Sequence, residues 1–258
     1  MIFVLLPAYN EELNIFNLLE NIKNYWISEI KNENLKIVIV NDGSTDKTND
    51  RVEEFKKDII EKSYTNFEIV NLKHIKNKGL GEALKTGFDF IINNSKENDI
   101  LITMDSDNTH PISNIKDMIQ KLRQRMNIVI SSRYQKGSKI TGVPLVRIFL
   151  ASIASVMFRI FFPIENVKDY TCGFRAYDLN LLKNAYKNNI NFFSEKNFSS
   201  QADILLKLRS FNKNIKVKEL AMDLRYDLKS GKSKMNVIKN IFDTLLLIVK
   251  RLKDWENN

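Results

Sequence analysis

Short apolar runs alternate with helical patterns along the first half of the chain. Residues 2–6 and 35–40 are almost continuously hydrophobic, which is typical of strands that are buried on both faces. Further strands are predicted at 67–72, 100–104 and 128–131, and helices at 11–26, 44–60, 81–92 and 112–126. A regular alternation of this kind predicts an α/β domain whose mostly parallel sheet is flanked by helices on both faces.

The pattern changes after residue 133, where helical periodicity dominates. We expect two apolar helical segments within 143–162, helices at 179–187 and 200–211, and a return to the sheet at 217–226. Apolar positions within 235–252 recur at helical spacing, which predicts a long amphipathic helix. The longest apolar stretch, 143–164, is interrupted by Arg147 and Arg159, so it lacks the roughly 20 apolar residues that a transmembrane helix requires.

Composition and charge narrow the range of functions. The 258 residues include one cysteine and two histidines, which excludes an intramolecular disulfide framework and a multi-cysteine metal site. Lysine and arginine exceed aspartate and glutamate by 40 to 31, a net charge of +9. Such an excess suits nucleic acid, an anionic membrane surface or phosphorylated substrates. Because no helix-turn-helix, RRM or KH pattern is present in the sequence, nucleic acid is the least favoured of the three.

Polar segments directly follow three of the predicted strands, at 7–12, 41–46 and 105–110. Parallel strands bring their carboxyl ends to one edge of a sheet, where the ligands of open α/β folds bind. Asp105 and Asp107 can direct carboxylate oxygens toward one hard cation, Mg²⁺ or Mn²⁺. Alternatively, they form an Asx-turn or cap the next helix. Asp42 can likewise begin a helix or accept hydrogen bonds from a base or a sugar hydroxyl.

Ordered motifs along the chain resemble those of one enzyme family. The segments PAYNEE (7–12), VNDGSTD (40–46), NKGLGEA (77–83) and MDSD (104–107) are similar to motifs of the inverting GT-A glycosyltransferases of family 2. The segments SSRY (131–134), YTCGFRA (170–176), QAD (201–203) and SGKSKM (230–235) resemble its polyprenyl-phosphate branch, which contains the dolichol-phosphate mannosyltransferases. The resemblance covers nearly the whole chain. It implies a Rossmann-like GT-A fold with amphipathic interfacial helices.

The same resemblance assigns roles to individual residues. It gives nucleotide-sugar binding to Pro7, Tyr9, Glu11, Asp42, Lys85, Asp105, Ser106 and Asp107, and the binding of Mg²⁺ or Mn²⁺ to Asp105 and Asp107. A polyprenyl phosphate acceptor needs no strong general base, because its oxygen is already anionic, but it does need polar and cationic partners. The candidates are Arg133, Arg147, Gln201, Arg225 and Lys234, and the candidate catalytic residues are Asp105, Asp107, Arg133 and Asp203. Thr109 stands where the mannosyl-transferring members usually have Gln.

These assignments predict transfer of a hexose, with mannose favoured, from a nucleotide sugar such as GDP-mannose. Residues 1–228 would form the GT-A domain, with an apolar interfacial insertion at about 137–164. Residues 229–258 would form a basic amphipathic helix whose cations, Lys229 among them, meet anionic headgroups. The protein would be peripheral on the cytoplasmic face of a membrane, alone or with a membrane-anchoring partner.

Three alternatives stay open at the level of the sequence. The first is UDP-glucose or another nucleotide sugar as the donor. The second is a polysaccharide or glycolipid hydroxyl as the acceptor, which would require a carboxylate base, and Asp203 is the nearest candidate. The third is a scaffold protein that binds a nucleotide sugar without turning it over.

Overall fold

The computed structural model describes residues 1–31, 33–64, 66–188, 190–195, 199–231 and 237–255, the side chains of 237–241 and 253–255 excepted. Its strands are β1 (Ile2–Ala8), β2 (Leu35–Asn41), β3 (Phe67–Lys73), β4 (Ile100–Thr103), β5 (Ile128–Ser132), β6 (Lys139–Thr141), β7 (Arg175–Asp178), β8 (Val217–Ala221) and β9 (Asp223–Arg225). Seven of them form one sheet in the order β3-β2-β1-β4-β7-β5-β8. All neighbours in it are parallel except β7, which runs antiparallel to β4 and β5.

Helices connect the strands and cover the sheet. They are α1 (Ile15–Glu29), α2 (Thr48–Glu61), α3 (Leu80–Asn94), α4 (Asn114–Arg123), α5 (Leu145–Phe161), α6 (Leu179–Lys187), α7 (Ser199–Phe211) and α8 (Val237–Trp255). The predicted α/β fold, with a mostly parallel sheet flanked by helices, is confirmed. The predicted elements of the first half are all present, with ends that shift by a few residues.

β7 is a strand that the hydrophobic pattern did not predict. It has four residues, and its first, Arg175, is a charged side chain with no exposed surface. Neither its length nor its composition marks it as a central strand, because a buried charge interrupts the apolar run that defines such strands. Its pairing with β4 and β5 makes the sheet mixed at this point.

The predicted strand at 217–226 is wrong in its second half. β8 ends at Ala221, and β9 pairs with β6 in a separate two-stranded sheet. The change of direction is at Met222, whose amide donates to Ser138 Oγ and whose carbonyl accepts from the Lys139 amide. These bonds satisfy the backbone of Met222 outside the large sheet.

The apolar stretch after Pro144 forms one helix and not the two segments expected. α5 has 17 residues and begins directly after Pro144, which stands at the N-cap position outside the helix. Within the described ranges, no helix is both long and apolar enough to cross a membrane.

The strand register brings the polar segments together. β1 pairs with β2 as far as Ala8 opposite Asn41, and with β4 as far as Leu5 opposite Thr103. The carboxyl ends of all three strands therefore lie at one edge of the sheet, as predicted. The side chains of β1 and β2 are almost entirely buried. The polar segments at this edge therefore directly follow strands of the hydrophobic core.

Candidate active site

The segments after β1 and β2 are joined by side chains that bond to the facing backbone. The Asn10 amide donates to Ser44 Oγ (2.9 Å), and Asn10 Oδ1 accepts from the Thr45 amide (2.8 Å). The amide of the next residue, Glu11, donates to Thr48 Oγ1 (2.7 Å). α2 begins at Thr48, four residues later than predicted. These bonds fix the segments after β1 and β2 relative to each other.

Asp42 holds a third loop at the same edge. Its carboxylate is buried and accepts hydrogen bonds from the Lys78 amide (2.9 Å), the Gly79 amide (2.8 Å) and His74 Nδ1 (2.6 Å). A carboxylate has about four acceptor positions, so most of them are used by the protein. The helix-start alternative for Asp42 is wrong, and its carboxylate shapes the loop at 74–79.

Asp105 and Asp107 lie directly after β4, and their loop is fixed to the end of β1. Ser106 Oγ donates to the Pro7 carbonyl (2.8 Å). Asp107 Oδ1 accepts from Thr109 Oγ1 (2.7 Å) and, at 3.3 Å, from the Thr109 amide. The Asx-turn alternative is therefore realised at Asp107, whereas the helix-cap alternative is wrong, because α4 begins only at Asn114.

A lysine from the far end of the chain pairs with this loop. Lys229 Nζ lies 2.6 Å from Asp107 Oδ2, and the two side chains are only 12% and 11% exposed. Burial alone would raise the pKa of Asp107, but the Lys229 ammonium, His110 and the hydrogen bonds from Lys229 and Thr109 together bring the pKa below the usual range. Burial would lower the pKa of Lys229, but the charge and hydrogen bond of Asp107, together with Glu11 and Tyr226, raise it above its usual value. Lys229 therefore faces the carboxylates, and its expected contact with lipid headgroups is wrong.

Asp105 is the more open carboxylate of the pair. Its side chain is 40% exposed, and Oδ2 lies 3.7 Å from His110 Nε2, beyond hydrogen-bonding distance. The Asp105 amide donates to His110 Nδ1, and the His110 ring stacks on Phe174 at 5.1 Å. His110 is thereby held with the Nε2 side toward the carboxylate.

The two carboxylates fit a divalent cation that takes further oxygens from a ligand. Mg²⁺ and Mn²⁺ prefer carboxylate and phosphate oxygens, and Mg²⁺ is usually held by one or two carboxylates plus substrate phosphates. Among the described residues, no group of three acidic, histidine or cysteine side chains could hold a metal on its own. Asp105 keeps a partly exposed side chain, which leaves its carboxylate accessible to such an ion. The donor set therefore suits a cation shared with a diphosphate.

Gln201 reaches the same site from α7. A Cβ added to Gly173 would lie 3.2 Å from Gln201 Nε2 and 3.4 Å from Asp105 Oδ1. Glycine at 173 therefore leaves room for the amide and the carboxylate to approach each other. Arg175 fixes the start of α7, because its guanidinium donates to the Gln201 and Tyr170 carbonyls at 2.6 Å each.

Arg133 is paired with a fully buried carboxylate. Its Nε and Nη2 donate to the two oxygens of Asp169 at 2.8 and 2.7 Å, and Nη2 also donates to Thr171 Oγ1. Burial would raise the pKa of Asp169, but the charge and hydrogen bonds of Arg133, together with the Arg175 charge, lower it below its usual value. This fork-to-fork pair anchors the segment before β7 to the end of β5. The charge of Arg133 is largely neutralised by the protein itself.

Two other predicted phosphate-binding arginines lie around the loop after β9. Arg147, at the start of α5, donates to Tyr226 Oη (2.9 Å) and lies 5.1 Å above the Tyr226 ring. Arg225 forms a two-pronged pair with Asp227 at the surface. The Arg147 guanidinium therefore contacts Tyr226, three residues before Lys229, whereas the Arg225 guanidinium is held by Asp227.

Two of the predicted residues, Lys85 and Asp203, are held in ion pairs of their own. Lys85 pairs with Asp89 (2.6 Å) on the exposed face of α3. Lys234 lies outside the described residues. The fully buried Asp203 carboxylate, two residues after Gln201, accepts from Lys207 and Arg251, each at 2.7 Å, and from Ser194.

The sequence of the region that carries this site matches the model of one protein family. Residues 3–185, the part of the chain that carries the strand-end loops, match the model for glycosyl transferase family 2. The chain belongs to glycosyl transferase family 2. The predicted family and the glycosyltransferase class are confirmed.

The similarity of this family 2 glycosyltransferase to known proteins extends beyond residues 3–185. The chain is 29% identical over 254 residues to the dolichol-phosphate mannosyltransferase of Pyrococcus furiosus, covering 98% of this chain and 64% of that protein. It is 30% identical over 193 residues to a dolichyl-phosphate beta-glucosyltransferase of Trichomonas vaginalis, covering 72% of this chain and 55% of that protein. The chain thus spans less than two thirds of the length of these two relatives.

A solved structure shares the fold. Glucosyl-3-phosphoglycerate synthase of Mycobacterium tuberculosis, in complex with Mn²⁺, UDP-glucose and phosphoglyceric acid, superposes with a TM-score of 0.62 at 17% identity. The superposition covers 98% of this chain and 80% of the other. It supports the GT-A assignment of the family 2 domain.

Two site residues of the family 2 domain were not predicted from the sequence. Lys229 is 122 residues from Asp107, and no local pattern links the two. His110 was one of only two histidines, five residues after Asp105, and its place directly after the acidic segment is a signal that could have included it.

Proposed function

We propose that the protein transfers a hexose from a nucleotide sugar to a polyprenyl phosphate at a membrane surface. The donor would bind at the strand ends, with the nucleoside toward Tyr9, Glu11 and the loop that Asp42 holds. Its diphosphate would bind beside Asp105 and Asp107. Mannose stays the favoured sugar, because two relatives that match over most of this chain are named as a dolichol-phosphate mannosyltransferase and a polyprenol monophosphomannose synthase.

One chain of contacts carries the acceptor assignment. The exposed apolar helix α5 begins next to Arg147, which donates to Tyr226 (2.9 Å), and Lys229 lies 5.6 Å above the same ring while pairing with Asp107. An apolar surface and a carboxylate site are therefore joined by cationic side chains. A lipid phosphate has the matching chemistry, with an anionic head and a long apolar tail.

The membrane surface is argued from two helices with exposed apolar side chains. α5 and α8 pack against each other. The large apolar side chains that they expose are Leu145, Val146, Phe149, Ile153, Val156, Ile160, Phe161, Phe242, Leu245, Leu246 and Val249. Arg159 is exposed on α5. An apolar face with basic neighbours is the composition of helices that lie in a bilayer interface with anionic lipids.

The reaction would be an in-line displacement at the anomeric carbon by a phosphate oxygen of the acceptor, with inversion. Asp105 and Asp107 would hold Mg²⁺ or Mn²⁺, which supplies positive charge for the leaving nucleoside diphosphate. Arg147 and Lys229 would offset the repulsion between two anionic substrates. Arg133 would act mainly by fixing the end of β5 through Asp169, and no side chain is required as a strong base.

A donor screen tests the proposal. Purified protein is incubated with GDP-mannose, UDP-glucose and related donors, a polyprenyl phosphate in detergent or vesicles, and Mg²⁺ or Mn²⁺. We expect one donor to label the lipid, with GDP-mannose favoured and UDP-glucose as the alternative suggested by the glucosyltransferase relative. Asp107→Asn should lose the activity, and Asp117→Asn, a change of an exposed aspartate on α4, should keep it.

Two outcomes would overturn the proposal. Efficient transfer to a sugar hydroxyl without transfer to polyprenyl phosphate would assign the hydroxyl acceptor instead. The geometry weighs against that outcome, because Asp203, the candidate base, is enclosed by Lys207 and Arg251. Donor binding without turnover on any acceptor would favour the scaffold alternative.

A further inference from the structure

Residues 225–230 pass beside the loop of residues 105–110, which carries Asp105 and Asp107. Hydrogen bonds hold this segment at both of its ends. At one end, the Arg225 amide donates to the Thr109 carbonyl (3.0 Å). At the other, the Ser230 amide donates to Asn14 Oδ1 (2.9 Å), and Asn14 Nδ2 donates back to the Ser230 carbonyl (3.0 Å). Lys229 lies between these attachments and directs its side chain at Asp107. The segment thus places a cation over the carboxylate pair.

Lys229 binds an oxygen that a divalent cation would also need. Nζ lies 2.6 Å from Asp107 Oδ2, a charge-assisted hydrogen bond, while Oδ1 already accepts from Thr109 Oγ1. Two cations at one oxygen would repel each other strongly at such distances in a site that is mostly shielded from water. The ammonium and a divalent cation therefore compete for Oδ2.

The chemistry of the lysine side chain allows this competition to be resolved by a change of partner. Lysine carries a compact charge on a flexible stem and has three donors, of which Asp107 uses one. A movement of the stem can turn the ammonium from Asp107 toward a neighbouring anion without movement of the attached backbone. The diphosphate of the donor would be that anion, because it would bind beside the same carboxylates.

We propose that Lys229 is a diphosphate-binding residue that exchanges partners, leaving Asp107 Oδ2 when a divalent cation binds and pairing with the nucleoside diphosphate. This inference rests on the proposed function and adds to it a coupling between metal and donor. Without a nucleotide, Lys229 opposes binding of the metal. With a nucleotide, it strengthens binding of the metal–nucleotide complex. Metal and nucleotide therefore bind with positive cooperativity.

Binding measurements test the exchange directly. Mn²⁺ affinity is measured by electron paramagnetic resonance without nucleotide, and GDP and UDP affinity by calorimetry at saturating Mn²⁺. For Lys229→Met we expect the affinity for Mn²⁺ alone to rise by about fivefold or more. The affinity for whichever of GDP and UDP binds more tightly should fall about tenfold. Both changes lie within the usual range of coupling between sites. Lys62→Met, which removes an exposed lysine paired with Asp58 on α2, is the matched control and should change neither.

The outcomes separate this inference from the function on which it rests. If the unaltered protein binds Mn²⁺ and a nucleotide but Lys229→Met leaves either affinity unchanged, or weakens Mn²⁺ binding, the exchange is wrong and the function stands. If the unaltered protein binds no metal–nucleotide complex, the proposed function fails. Lys229→Gln provides a second variant with the same expected result, and thermal melting checks that both variants are folded.

Discussion

The buried ion pair between Asp107 and Lys229 bears on both binding and stability. Both charges belong to the proposed metal and donor site, and each also compensates the other inside the fold. Both side chains are largely buried and pair at 2.6 Å. Removing one partner of such a pair leaves the other without compensation in a poorly solvated place, which costs more than the pair contributes. Variants at either position therefore act on folding as well as on the site, and the two effects need separate measurements.

We predict that Asp107→Ala lowers kcat by at least about 100-fold, the scale of losing a preorganised electrostatic group. It should also lower the free energy of unfolding by about 1–3 kcal/mol, because Lys229 is left unpaired. The double variant Asp107→Ala/Lys229→Met should regain most of the stability but none of the activity. Transfer assays and denaturant unfolding of the three proteins check this. Full activity of the single variant would contradict the role of Asp107.

Asp169 is predicted to stabilise the fold through Arg133. Asp169→Asn should lower the free energy of unfolding by about 3–5 kcal/mol at neutral pH, because a buried arginine loses its carboxylate. The pKa of Asp169 is lowered in the folded protein, so its contribution is present above the unfolded pKa of about 3.9 and lost as the pH falls through the folded value. Urea unfolding between pH 7 and pH 3 measures this. The difference between the two proteins should shrink toward the acid end, and a constant difference would argue against the ion pair.

At the scale of elements, the strand ends are positioned by loops that bond to one another. Asp42 accepts from two amides of the loop at 74–79, and Gly43, at φ +67°, brings that loop within contact. A Cβ on Gly43 would lie 2.3 Å from the Lys76 carbonyl carbon. Glycine is therefore required here both by the backbone conformation and by the close approach of the loop.

Gly43→Ala should displace the loop at 74–79 and weaken nucleotide binding about tenfold or more, while the sheet stays folded. Gly137→Ala is the matched control: it also has a positive φ (+95°), but its added Cβ would meet only the Ala221 Cβ at 3.8 Å. Both variants share the strain of a left-handed alanine, and only the first has the clash with a backbone. Equal nucleotide affinities of the two variants would show that the loop does not form part of the donor site.

The sequence predicted those features of the fold that depend on local pattern. β1 and β2 could be predicted because they are continuous apolar runs, and Asp105 and Asp107 because they follow such a run directly. β7 could not, because a four-residue strand that begins with a buried arginine has no such pattern. The contact of Lys229 with Asp107 depends on the path of the chain after β9, and no spacing along the sequence encodes it. Arg133 shows the intermediate case, in which the residue was singled out but its partner Asp169 was not.

At the scale of the whole molecule, side-chain contacts link α5, which packs against α8, to the carboxylate site. Arg147 and Tyr226 connect the two parts. In the proposed function, the net charge of +9 would attract the chain to anionic lipid, and the exposed apolar side chains would supply the binding that remains at high salt. A lipid phosphate embedded in a bilayer would then be presented to the site from the membrane side.

Vesicle sedimentation tests this orientation. The protein should bind vesicles that contain anionic lipid more tightly than neutral ones, and added salt should weaken the binding only in part. Phe149→Asp and Phe242→Asp, on exposed positions of α5 and α8, should each reduce binding several-fold and reduce transfer to vesicle-embedded acceptor, with little change for a short soluble acceptor phosphate. Ile60→Asp, at an exposed position of α2, removes a comparable side chain on another helix and should change neither. If all three variants bind vesicles alike, the membrane contacts another face, and α5 and α8 lose their proposed role.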